Sequence, residues 1–269
     1  MGDGGKQAAR PHWKSIGGIP LFKLEWCFKY WLYRLFRITL PKLADQRDYW
    51  IRRGEAYREE ITSSGYLARE AFFQDLFLAD LRQMGFESFF EAGSGFGWNI
   101  ARVKREFPAA RVGGLDFSLT QLKQMETFCP DLTLPVVNGA ATAMPFADDA
   151  FDVGFTLGVF MNIHPDKIRK ALSEMLRVSK KYVIHLEYDQ TRTTPELKER
   201  RAFKTNIVSH DYKALYEELG ARVVKLLTYR DFGPAYQAHA AGLTGGVARW
   251  EGFEGPEKYM YIVVEAPGR

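Results

Sequence analysis

The stretch FFEAGSGFGWNI, residues 89–100, sets Glu91 ahead of Gly93, Gly95 and Gly97 and then resumes a helical pattern. Glycines at alternate positions after an apolar run suit a strand that turns sharply into a helix. Glycine takes backbone angles other residues avoid and lets a ligand approach the main chain closely. The next apolar run, VGGLD, ends in Asp116, about 20 residues beyond the turn, where an acid accepts hydrogen bonds from both hydroxyls of a ribose. A tight turn without a ligand would use the same glycines, so it is the acid that turns the reading toward a nucleoside. The pattern is GxGxG behind an acid, not GxGxxG. A pyrophosphate at a helix N-terminus is poorly served by an acid in the loop, whereas a ligand carrying an amino group and a sulfonium tolerates it.

The elements that must position these residues follow from periodicity. Residues 44–85 read as two or three amphipathic helices ended at Gly85. Beyond them ESFFEAG, ARVGGLD, LTLPVVNG, FDVGFTLG, KYVIHLEY, ARVVKLLTY and KYMYIVVEA read as seven strands, with helical stretches near 97–107, 118–128, 166–178 and 209–219. Such alternation predicts an α/β fold: a doubly wound, mainly parallel sheet with helices on both faces and a helical extension at its N-terminal side. Ligands bind such sheets beyond the carboxyl ends of the strands.

Composition narrows the partners. The chain has 269 residues, 46% hydrophobic and 26% charged, enough for one substantial core. Its formal charge of +4 is concentrated in residues 1–43, which carry about +6 and leave about −2 elsewhere. The body therefore lacks the cationic surface that a nucleic-acid partner would require. Cys27 and Cys129 show neither CxxC pairing nor metal-ligand spacing, so no metal site or disulfide framework is indicated and a reducing, cytoplasmic compartment is expected. Residues 20–43, PLFKLEWCFKYWLYRLFRITLPKL, are too charged to span a bilayer. They fit a helix lying in the inner membrane face, or equally one packed on the domain or on a partner. Three regions result: a basic aromatic segment (1–43), a helical cap (44–86) and the α/β domain (87–269).

Four ordered motifs, FFEAGSGFGWNIARV, VGGLDFSLTQLKQM, VVNGAATAMPFADDAFDVGFTLGVFMNIHP and MLRVSKKYVIHLEYD, resemble those of the class I S-adenosylmethionine-dependent methyltransferases, which have a Rossmann-like seven-stranded sheet. With SHDY downstream, the pattern is most similar to methylases associated with pseudaminic acid and other surface glycans. The resemblance implies S-adenosyl-L-methionine as cofactor. Glu91, Gly93, Ser94, Gly95 and Gly97 would lie under its methionine moiety, Asp116 at the ribose and Phe117 against the adenine. Gly139, Ala140 and Ala141 would border the adenine edge, although the family often has an acid where Ala140 stands; Thr142 or backbone would substitute. Leu157 and Gly158 would close the methionine side. Trp50, Arg53 and Tyr57 fall where related enzymes fold an N-terminal helix over the cofactor, and helix packing explains them as well.

Methyl transfer to an alcohol needs alignment, exclusion of water and removal of a proton. Candidates for that work are Asn162 and His164 in FMNIHPD, then Glu187, Tyr188 and Asp189 in HLEYD. Histidine as a residue type titrates near neutrality, which makes His164 the favoured base, while a cap on the helix opening at Pro165 explains it as well. Strand alternation sends His185 away from the cofactor edge, and His210 with Asp211 reads as a helix N-cap pair near the acceptor. Residues 191–206, with Arg200, Arg201 and Lys204, suit an acceptor clamp or a solvated helix. The expectation is methyl transfer to a small-molecule or glycan hydroxyl. The alternatives are a membrane-associated lipid or quinone-type methyltransferase and a catalytically silent cofactor-binding partner subunit.

Overall fold

The computed structural model describes residues 15–16, 19–38, 46–63, 65–188, 208–243 and 259–267. After a two-residue antiparallel pairing of Ser15–Ile16 with Ile19–Pro20, three helices run ahead of the sheet: α1 (Leu21–Phe36), α2 (Gln46–Ser63) and α3 (Tyr66–Met84). Gly85, in the left-handed region at φ 56°, ends α3 as a glycine just past a helix commonly does.

Seven strands then form one sheet: β1 (Ser88–Ala92), β2 (Arg111–Asp116), β3 (Val136–Asn138), β4 (Phe151–Leu157), β5 (Ser179–Tyr188), β6 (Arg222–Thr228) and β7 (Tyr259–Glu265). Their spatial order is β3-β2-β1-β4-β5-β7-β6. The pairs from β3 to β5 are parallel, and β7 runs antiparallel to both β5 and β6. The seven runs expected from the sequence are these strands. The helices are α4 (Trp98–Glu106), α5 (Leu119–Lys123), α6 (Met125–Phe128), α7 (Pro165–Val178), α8 (Tyr212–Glu218) and α9 (Tyr229–Gly242).

A sheet covered on both faces needs strands that are apolar toward both sides, which is why β1 reads SFFEA and is buried throughout. Phe89 joins Phe73, Phe77, Leu78, Ile100, Phe232 and Tyr236 on the face covered by α3, α4 and α9. Its neighbour Phe90 joins Ile168, Leu172, Met175, Tyr212 and Tyr216 on the face covered by α7 and α8. Order reverses at β1, since the chain goes to β2 on one side and to β4 on the other. That switch point fixes the crevice where a ligand sits.

α9 lies outside the helical stretches expected from the sequence, and it contains Gly233 and Pro234, residue types that ordinarily break helices. A capping box of Thr228 with Asp231 starts the helix, and Phe232 and Tyr236, four apart, bury one face of it. Tertiary burial outweighs the local penalty of the proline.

Candidate active site

At the carboxyl end of β1 the chain turns through Gly93, Gly95 and Gly97, all at positive φ (80°, 52° and 89°), before α4 begins at Trp98. The amides of Gly93 and Ser94 donate to Leu115 O, and the Gly95 amide donates to Asp116 Oδ2 at 3.0 Å. The glycine loop is thus tied to the end of β2. At Gly93 there is no room for a side chain, since a Cβ would lie 2.3 Å from Val159 Cγ2.

Two acids face this loop. Glu91 is buried; its Oε1 accepts from Asn99 Nδ2 at 2.7 Å, the Ile100 amide lies close to the carboxyl, and its Oε2 makes no well-formed hydrogen bond among the described residues. Burial pushes its carboxyl up to about 8, with the nearby Asp116 charge acting in the same direction. Asp116, also buried, accepts from the amides of Gly95 and Ser118, the latter at 2.7 Å. Those two bonds hold its pKa down, but desolvation is larger and raises it to about 6. An unpaired, desolvated carboxyl oxygen lacks a partner, and a cationic ligand group would supply one while drawing the proton off the acid.

Both acids line a cleft of about 800 Å³ counting its open mouth. Its floor is the glycine loop with Asp116, Phe117 and Gln121; its far wall is Leu157, Gly158, Val159 and Asn162 at the end of β4. The roof comes from α2 and the start of α3: Trp50, Tyr57, Ile61, Tyr66 and Leu67, with Phe96 and Trp98 below. Trp50 meets Tyr57 edge-on with centroids 5.4 Å apart, and the Arg53 guanidinium lies over both rings. Gln124 pins this roof down, accepting from Arg58 Nε and donating to Gly54 O. Trp50 and Tyr57, expected over a cofactor, lie in this roof, and Arg53 packs on their rings.

Of the expected cofactor residues, Trp50, Tyr57, Glu91, Gly93, Ser94, Gly95, Asp116, Phe117 and Leu157 line the cleft. Gly97, Gly139, Ala140 and Ala141 do not. Gly97 caps α4, and a Cβ there would lie 2.8 Å from Met125 Cγ. Gly139 donates its amide to Asp116 O beside the cleft, and Ala140 is exposed, its methyl too short to build a wall.

The three residues expected to do chemistry, His164, Glu187 and Tyr188, are not among those lining the cleft. Glu187 is fully buried: Thr156 Oγ1 (2.7 Å), Val159 N (2.9 Å) and Met161 N (3.1 Å) all donate to it. It braces the loop after β4 from beneath. Thr156 donates its one proton to Glu187, so His185 Nδ1 donates to Thr156 and His185 Nε2 accepts from Tyr216. Burial lowers His185 to about 3, a neutral core histidine. Tyr188 points to the opposite face of the sheet and packs with Tyr259 in the core. His164 is the N-cap of α7: its Nδ1 accepts from Asp166 N at 3.2 Å, and its ring lies outside the cleft.

His210 and Asp211 also have structural partners. His210 Nε2 donates to Ile163 O at 3.0 Å and Asp211 caps α8 by accepting from Ala214 N. Val208 N donates to Met161 O, so the turn braces the loop after β4 from a second side. Asp189 and residues 191–206, with Arg200, Arg201 and Lys204, lie outside the described residues.

Residues the sequence reading passed over are Ile61, Tyr66, Leu67, Phe96, Trp98, Asn99, Gln121 and Val159. A usable signal existed for one: Trp50, Tyr57 and Ile61 follow a seven-then-four spacing that puts them on one face of α2.

Residues 89–182 match the family model described as Methyltransferase domain. Over 70 residues the chain is 47% identical to demethylmenaquinone methyltransferase of Renibacterium salmoninarum, a stretch that is 26% of this chain and 27% of that relative. In fold it is similar to the putative methyltransferase in complex with the Trm112 methyltransferase activator from Haloferax volcanii. That likeness has TM-score 0.57 and 18% identity and covers 84% of this chain and 97% of that one. It is similar too to geranyl diphosphate C-methyltransferase from Streptomyces coelicolor A3(2), solved with Mg2+, geranyl diphosphate and S-adenosyl-L-homocysteine (TM-score 0.50, 18% identity, 67% and 74% covered).

Proposed function

We infer that the whole chain works as the enzyme its central region implies: residues 89–182 are a methyltransferase domain with the class I, S-adenosylmethionine-dependent fold. The observation that carries this reading is the orphaned Glu91 Oε2 in a cleft whose other acid, Asp116, stands at the end of β2. Such a donor set fits an ammonium-bearing adenosyl ligand. Glu91, Ser94 and the loop amides would hold its amino-acid part, Asp116 its ribose, Phe117 its adenine, and Leu157 and Gly158 would bound the reacting side. When bound, the cofactor supplies an electrophilic methyl on a sulfonium. The protein's part is to align the acceptor, exclude water and stabilise charge.

The acceptor is read as a small molecule offering a hydroxyl on a body apolar enough for Trp50, Tyr57, Tyr66 and Trp98 to enclose. His164, Glu187 and Tyr188 lie outside the cleft, so a phenolic or enolic hydroxyl, acidic in itself, fits better than a sugar hydroxyl that needs a base. The glycan acceptor implied by sequence resemblance gains no support from these walls. A lipid or quinone-type acceptor gains some, from the aromatic roof and from the local identity to demethylmenaquinone methyltransferase.

Calorimetric titration with S-adenosylmethionine, S-adenosylhomocysteine and NAD tests the cofactor. Micromolar binding of the two adenosylated amino acids without NAD is expected. No binding of either would overturn the enzymatic reading and leave the glycine turn structural.

A further inference from the structure

We propose that α1 docks the protein on an anionic bilayer surface, lying along it without crossing. Phe28, Trp31 and Leu35 follow helical spacing along one side of α1, and their exposures are 60%, 57% and 66%; Phe36 beside them is 66% exposed, and Ile38, just past the helix end, is 49% exposed. These are most of the large exposed hydrophobics among the described residues; the others are Leu119 and Val224. A soluble chain rarely leaves such a row open without a use for it.

Charge identifies the occupant. Lys29 and Arg34 lie off that row toward the flanks and back of the helix, with Tyr30 and Tyr33 among them, and Arg37, just past the helix end, sets its guanidinium over the Tyr33 ring. Residues 1–43 carry about +6 while the rest of the chain is about −2, so attraction to an anionic surface is confined to this end. Apolar residues on one side with cations and amphipathic rings beside them match a headgroup layer. There acyl chains take the apolar row, tyrosines sit at the boundary, and phosphates meet the cations. Among the described residues no helix is long and apolar enough to cross a membrane, so lying on the surface is the mode available to α1. The segment leads by a short connection into α2, whose Trp50 and Tyr57 roof the cleft.

The test is flotation of the intact chain with vesicles of phosphatidylcholine alone and with about one third phosphatidylglycerol, at low and high salt. Expected is binding to the anionic vesicles that weakens with salt. Arg34→Glu with Arg37→Glu should lower the partition coefficient about twentyfold or more, and Leu35→Glu about tenfold or more. These side chains are exposed, so the variants should keep the parent's unfolding midpoint and adenosyl-ligand affinity, which confirms that they fold. Failure of the intact chain to float with anionic vesicles at low salt overturns the proposal. So does equal binding to anionic vesicles by the double variant and the parent. A concentration-dependent dimer in light scattering that Leu35→Glu abolishes, with no flotation, assigns the row to a second copy instead.

Discussion

The Glu187 carboxylate, inside β5, accepts the main-chain amides of Val159 and Met161, which lie in the loop following β4. One buried acid therefore sets the shape of the far wall of the cleft, although it never faces the ligand. Replacing it by alanine would leave buried donors unpaired, and Glu187→Ala should lose about 2–4 kcal/mol of stability. Glu187→Gln, which keeps one acceptor, should lose less. Chemical denaturation measures both, and an alanine variant as stable as the parent would remove the bracing role.

Glu91 makes stability depend on pH. Its folded pKa of about 8 lies above the ordinary 4.5, so between these values the folded state holds a proton that the unfolded state has released. Its contribution is fully present below pH 4.5 and is lost as pH rises toward 8, at up to about 1.4 kcal/mol per unit. Glu91→Gln removes that slope. Urea denaturation at pH 5, 6.5 and 8 should show the variant gaining on the parent with each step; parallel curves would refute the assignment. The same variant should bind an ammonium-bearing ligand at least tenfold more weakly.

Asp116 accepts from the amides of Gly95 and Ser118, and the proposed function gives it the cofactor's ribose. Asp116→Ala should weaken adenosyl-ligand binding by about 1–3 kcal/mol, read by calorimetry. Unchanged affinity would exclude the ribose role.

Gly93→Ala should cut cofactor affinity at least tenfold, through about 1–2 kcal/mol of left-handed strain together with its clash on Val159. Adding Val159→Ala removes the clash but leaves the strain. The double variant should recover part of the loss; no recovery would mean that the collision with Val159 is unimportant.

His164→Ala separates a cap from a base. As a cap it should lose about 0.5–1 kcal/mol in thermal or urea unfolding and keep turnover within about twofold, once an acceptor is in hand. A hundredfold fall in turnover with unchanged cofactor affinity would restore it as the base.

How much of this could be read from the letters depends on the range of the interaction. The strands, the glycine turn, Asp116 and the Gly85 stop are local patterns of two to seven residues, and each appears where periodicity or turn chemistry puts it. α9 is missing from the expected helices, and burial of Phe232 and Tyr236 against a distant face outweighs the breaking tendency of its Gly233 and Pro234. Glu187 looked catalytic for a related reason. A carboxylate at a strand end reads as available, and only the folded loop shows that Val159 and Met161 occupy it. Alternation placed His185 correctly, away from the cleft, since that rule needs no knowledge of the partner strand.

The order of the sheet also has a temporal side. β6 is an edge strand whose hydrogen-bonded neighbour is β7, residues Tyr259–Glu265, and β7 lies between it and β5. On the ribosome the five parallel strands that build the cleft emerge first and can pair among themselves. Residues 222–228 then wait beside an open β5 edge until the closing strand arrives. Nascent chains halted before residue 259 should therefore carry the cleft's strands but present two unsatisfied backbone edges, a state suited to chaperone capture and exposed to misassembly.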